Sequence, residues 1–128
     1  MASNTTGNYN TAVGSSALKT LRTDGGNIPE HNTAIGHEAG EAATYGDKGT
    51  YIGSDAGKAV TTASNNTFVG ALAGTATTTG ANNTTVGAEA LDTNISGTDS
   101  VAIGYQALFT FNDSTAYNVA IGSGAGRL

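Results

Sequence analysis

A β-branched residue stands immediately ahead of a glycine seven times along the chain: Val13, Ile35, Ile52, Val69, Val86, Ile103 and Ile121 precede Gly14, Gly36, Gly53, Gly70, Gly87, Gly104 and Gly122. The glycines are separated by 22, 17, 17, 17, 17 and 18 residues. Around each pair the wider pattern is Asn-Thr-x-(Val/Ile)-Gly-x-x-Ala-(Leu/Gly), so the chain is one repeat with a period of 17. Three residues before each glycine sits Thr11, Thr33, Thr50, Thr67, Thr84, Val101 or Val119, and strand alternation puts this column on the same face as the Val/Ile column. β-branched residues suit a buried strand, so both columns are expected to point inward. The column between them, Ala12, Ala34, Tyr51, Phe68, Thr85, Ala102 and Ala120, is then expected to face outward or toward another subunit.

The corners are equally regular. Each glycine ends a strand where positive φ or close backbone approach is needed. Asn10, Asn32, Asn66, Asn83 and Asn118 recur four residues earlier and are expected to ladder at the opposite corner, with Gly49 and Ser100 as exceptions. An unvarying alanine follows each glycine by three residues, from Ala17 to Ala125, where only a small side chain fits. A partial column of Leu21, Ala43, Val60, Thr77, Asn94 and Phe111 adds to the interior. The stretches between motifs, such as KAVTTASN and TATTTGAN, carry no 3.6-residue apolar stripe, which argues against a helical solenoid. The expected fold is all-β: a parallel β-solenoid, or β-roll, of seven coils over 10–128 after a lead-in of residues 1–9. Each coil has two short strands joined by tight corners, and the rod is roughly 34 Å long at ~4.8 Å per coil.

Composition makes this core thin. Ala, Thr, Gly and Asn are more than half of the 128 residues, whereas Leu, Ile, Val and Phe number 21. That is below what an ordinary globule needs, yet the net charge of −5 is too small to suggest disorder. Small side chains offset backbone ordering poorly, so association is expected to complete the fold. A homotrimer best suits a fibre with a small-residue face. Five basic residues against ten acidic ones cannot form a footprint for nucleic acid. No apolar run approaches the ~20 residues of a membrane span, and the N-terminus has no signal-peptide pattern.

The SVAIGYQAL unit at Ser100 resembles the head repeats of trimeric autotransporter adhesins, and NTAVG, NTAIG and NTFVG with Asn-rich spacers are similar to repeats of phage tail fibres. The resemblance spans all seven copies. It implies a trimeric parallel β-roll outside the cell, on a virion fibre or cell surface, that holds or forms a surface binding a host glycan or protein receptor. The period of 17 is longer than in adhesin heads, and neither a chaperone domain nor a coiled-coil stalk is present. Because neither end carries an obvious polar cap, a segment of a longer fibre, or a subunit whose ends its neighbours cover, is expected. A bacterial adhesin head and a self-assembling extracellular filament are the alternatives.

No catalytic constellation and no cofactor motif is visible, so an enzyme is not expected. His31 and His37 lie in one coil near Glu30 and Glu38, but without a metal-ligand spacing. Asp55, Asp92, Asp99 and Asp113 recur at corners without a calcium pattern. Asn-x-Ser/Thr sequons at Asn4, Asn65, Asn82, Asn83, Asn94 and Asn112 follow from composition. Ice binding by a flat Thr array is disfavoured, because the Thr column is read as facing inward. The best recognition candidates lie where the repeat is broken. A five-residue insertion between Leu18 and His31 carries Arg22 and Asp24, and the aromatics Tyr45, Tyr51 and Phe68 could stack on sugars beside Asp47 and Asp55.

Overall fold

The computed structural model describes residues 7–22, 28–111 and 117–127. Seven three-residue strands follow one another: β1 (Thr11–Val13), β2 (Thr33–Ile35), β3 (Thr50–Ile52), β4 (Thr67–Val69), β5 (Thr84–Val86), β6 (Val101–Ile103) and β7 (Val119–Ile121). They form one parallel sheet in sequence order. Each motif pairs with the next at the same position, for example Thr50 with Thr67 and Ile52 with Val69. The chain is therefore an all-β, parallel β-solenoid, with no helix among the described residues.

Each rung bonds to the next through its backbone. Thr50 N donates to Asn66 O at 2.8 Å on one side of the strand, and Gly70 N donates to Ile52 O at 2.8 Å on the other. The corner glycine is required by close approach as well as by conformation. Gly53 has φ +135, and a Cβ there would lie 2.5 Å from the carbonyl oxygen of Gly70 one rung on. Only one strand per coil forms among the described residues, in place of the expected two. The remaining walls are stacked turns, and Thr hydroxyls stitch them together: Thr44 Oγ1 donates to Thr61 O at 2.9 Å, and Thr61 Oγ1 to Thr78 O at 3.0 Å.

The side-chain facing of the strands is the reverse of the expectation. The middle column is the core: Ala34, Tyr51, Phe68, Thr85 and Ala102 are fully buried. Thr11 and Val13, Thr84 and Val86, and Val119 and Ile121 are exposed, and the same two columns on the other strands are at most half-buried. The Val/Ile column (Val13, Ile35, Ile52, Val69, Val86, Ile103 and Ile121) is thus an outward one. The physical reason is volume. Behind one three-residue strand a coil has room for one large ring or a leucine, not for two β-branched columns. The invariant alanines Ala17, Ala39, Ala56, Ala73, Ala90 and Ala107 are buried as expected, as are Leu21, Ala43, Val60, Thr77 and Asn94.

Interior volume is balanced coil by coil. Where the middle residue is aromatic, the residue six positions later is glycine: Tyr51 with Gly57, Phe68 with Gly74. Cβ atoms there would lie 2.6 Å from the Tyr51 ring and 2.7 Å from the Phe68 ring. Where the middle residue is small, that later position is leucine, as in Thr85 with Leu91 and Ala102 with Leu108. In the second and seventh coils both are small, Ala34 with Gly40 and Ala120 with Gly126, and the space is filled from adjoining coils, by Leu18 and Tyr51 in the second and by Leu108 in the seventh.

The asparagine column is a buried hydrogen-bond ladder. Asn66 Nδ2 donates to Gly80 O across its own coil at 2.8 Å, and its Oδ1 accepts from Asn83 N of the next rung at 2.8 Å. Asn32 and Asn83 repeat both bonds. An amide, with one donor end and one acceptor end, satisfies the corner of its own coil and the start of the next.

Candidate functional site

The recognition residues expected from sequence do not gather into one site. Tyr51 and Phe68 are fully buried, with ring centroids 5.9 Å apart, so they pack the core and offer no face to a sugar. Burial pushes the Tyr51 phenol far above its ordinary pKa. Arg22 is exposed, Tyr45 is half-buried, and Asp24 lies outside the described residues, as do Asn4, Asn112 and Asp113. Asp47 is occupied locally, its Oδ1 accepting from Glu30 N at 2.8 Å. Asp55 lies at the opposite end of β3, where the hydroxyl of Ser54 at 2.7 Å and then the ammonium of Lys58 hold its carboxyl below the usual range.

The two histidines diverge. His31 stacks on the ring of Tyr9 at 5.0 Å and lies 3.9 Å from Glu30. His37 belongs to a different cluster, in which its ring nitrogen and the carboxylates of Glu38 and Asp55 lie within 4.8 Å of one another. The cation of that cluster is Lys58, which bridges Glu38 and Asp55, and these two carboxylates raise its ammonium well above its ordinary pKa.

What runs unbroken from β1 to β7 is the outward face of the sheet. It consists of one Thr/Val column and one Val/Ile column and carries no charged side chain in any of its fourteen positions. Val13, Ile35, Val86 and Ile121 on it are 57, 41, 40 and 67% exposed. The hydroxyls of Thr11, Thr33, Thr50, Thr67 and Thr84 make no hydrogen bond among the described residues, unlike those of Thr44 and Thr61 on the turn walls.

No family model, curated protein or solved structure matches this chain.

Two rims border the face, and both are built from left-handed residues seven positions apart. Ahead of the strands stand Tyr9, His31, Lys48, Asn65, Asn82, Asp99 and Tyr117, and after them Ser16, Glu38, Asp55, Leu72, Glu89, Gln106 and Gly124, all with φ between +53 and +75. On the first rim, Asn65 Nδ2 donates to Asn82 Oδ1 at 3.2 Å and Asn82 Nδ2 to Asp99 Oδ1 at 3.0 Å. Sequence reasoning missed both the face and its rims. The signal was present as polar residues recurring at one fixed distance either side of each strand.

Proposed function

We propose that the chain is a non-enzymatic structural segment of an extracellular attachment fibre, a homotrimer that uses the outward sheet face as its seam. The observation that carries this reading is the exposed, uncharged, β-branched face running through all seven rungs. Parallel sheets are normally covered on both sides, and here the core covers only one. The repeats that resemble those of phage tail fibres and trimeric adhesin heads support the same assignment, on a virion or on a bacterial surface. With the face turned inward, the exposed Arg22 and the corner at Tyr45 and Asp47 are left to meet a host glycan or protein receptor.

The solution mass decides it. Light scattering at several concentrations should give three times 12.6 kDa. A stable monomer at every concentration would overturn the seam and the fibre reading with it. In that case the unpartnered Thr column, now outward, favours a second reading, a flat face that orders water or ice, and thermal hysteresis of the monomer is the readout.

A further inference from the structure

The rim ahead of the strands holds one residue per rung in the left-handed backbone region, which favours Asn, Asp and Gly. Asn65, Asn82 and Asp99 obey that preference, whereas Tyr9, His31 and Tyr117 do not, at φ +57, +60 and +75. Packing does not explain the two tyrosines, which are 78 and 83% exposed. Tyr9 rests against the ring of His31, with centroids 5.0 Å apart and 20° between the planes. Aromatic rings held out in solvent at a disfavoured backbone position point to a ligand outside the chain.

Between the rings the rim is polar and already oriented. Asn65 Nδ2 donates to Asn82 Oδ1, and Asn82 Nδ2 to Asp99 Oδ1. An amide carries two N–H donors and two acceptor lone pairs, so each of these asparagines keeps a donor and an acceptor once the row has formed. In the adjoining column Asn8 Nδ2 donates to Glu30 Oε1 at 2.9 Å, and Asp47 N to Ser64 Oγ at 3.1 Å. Side chains fixed by one another in this way lose little freedom when a ligand arrives. A pyranose has the matching chemistry: an apolar ring face that stacks on an aromatic ring, and an edge of hydroxyls that each donate and accept. The rungs repeat every ~4.8 Å, close to the length of one hexose unit in an extended β-1,4-linked chain. Carboxylates prevail over cations here, with Glu30, Asp47 and Asp99 against Lys48, which disfavours a sulfated or uronic chain.

We propose that this rim binds an extended, neutral, β-1,4-linked hexopyranose chain laid along the rod. The stacked Tyr9 and His31 form a platform at one end and Tyr117 at the other, six rungs or ~29 Å away, while Asn65, Asn82 and Asp99 bond sugar hydroxyls between them. This deepens the attachment reading and rests on it for the source of the glycan, the host surface. The strip itself lies within one chain.

Isothermal titration of the whole chain with β-1,4-linked oligomers of glucose and of N-acetylglucosamine, three and seven units long, tests it. In at least one series the seven-unit chain should bind roughly tenfold more tightly than the three-unit chain, because only the longer one reaches both platforms. Tyr9→Ala and Tyr117→Ala should each weaken binding of the long chain by about tenfold. Tyr105→Ala removes an exposed ring beyond the other end of β6 and should change nothing. All three side chains are exposed, and an unchanged circular dichroism spectrum shows that the fold is intact. No binding in either series, equal affinity for both lengths, an equal loss in Tyr105→Ala, or tighter binding of the sulfated chain heparin overturns the strip. If the protein then has the mass of a trimer, the seam still stands. Length-dependent binding by a chain of monomeric mass overturns the seam and keeps the strip.

Discussion

The Cβ atom that Gly49 lacks would lie 2.2 Å from the phenol oxygen of Tyr51. Gly49 stands where five of the seven coils have asparagine, and the Tyr51 hydroxyl occupies the space that the asparagine side chain fills elsewhere. The break in the ladder and the largest ring in the core are one event. The exchange is imperfect, since the Tyr51 hydroxyl is buried without a hydrogen-bond partner.

Gly49→Asn should accordingly destabilise the fold by about 1–3 kcal/mol through overpacking. Combined with Tyr51→Thr, which vacates the shared space, Gly49→Asn should cost less than it does alone, so the double variant should be more stable than the sum of the single losses predicts. Tyr51→Phe should leave stability unchanged or raise it by about 1 kcal/mol, because it removes an orphan hydroxyl. Urea midpoints of these three variants and of Tyr51→Thr alone check the set, and purely additive losses would refute the shared-space account.

Phe68→Ala empties the centre of its coil and should cost about 3–5 kcal/mol. Gly74→Leu alone should also destabilise, since its side chain would enter the Phe68 ring. Together they reproduce Ala102 with Leu108, and Leu108 tolerates the left-handed conformation (φ +52) that Gly74 also adopts (φ +60). The double variant should be more stable than either single one, as read by thermal unfolding.

Asn66→Ala strands Asn83 N and Gly80 O in the interior, where Asn66 now bonds each at 2.8 Å. A loss of about 2–4 kcal/mol is expected. The exposed Asn65→Ala, one residue away, should cost well under half as much. Equal effects would mean that the buried ladder contributes no more than the exposed one.

Val69→Glu places a carboxylate at the middle of the outward face without touching the core. The circular dichroism spectrum should be unchanged while association weakens on the order of a hundredfold, about 2.7 kcal/mol. A variant that associates as before would remove this face from the interface.

Asp92 gives a dependence on pH. Burial, and then the neighbouring Glu89 carboxylate, raise its pKa above the ordinary value. The folded chain therefore holds that proton more tightly than the unfolded chain does, so this group favours folding when protonated and the advantage disappears as pH rises through its folded pKa. Asp92→Asn should raise stability at pH 7 and flatten its dependence above pH 4. A loss of stability at pH 7 would show that the charge has a favourable partner.

The repeat, its period, the strand ahead of each glycine and the corner glycines were legible in the sequence, because each column imposes one demand seven times, whereas the second strand expected in each coil does not form among the described residues. The facing of the strands was not. Alternation separates Thr50 and Ile52 from Tyr51 but does not say which set is inside, and the β-branched residues of this sheet sit on the side away from the core. The deciding information lay in the exceptions. Gly49 and Gly57 flank Tyr51 and Gly74 follows Phe68, so the aromatic column shares its space with the asparagine and leucine columns, which the structure buries. The candidate site is hidden in the sequence for the same reason, since an outward Tyr51 and Phe68 would put Ile52 and Val69 inside. The left-handed rims were hidden further, because Lys48, Asp55, Leu72 and Gln106 are not residues that announce a positive φ.

Every coil hands the same backbone groups to the next. Loss or duplication of 17 residues in frame would shift the rod's length by one step of ~4.8 Å and keep the backbone ladder continuous at the splice. Such a molecule behaves as a ruler graduated in rungs, whose reach can be adjusted by copy number while the surface of each rung varies independently.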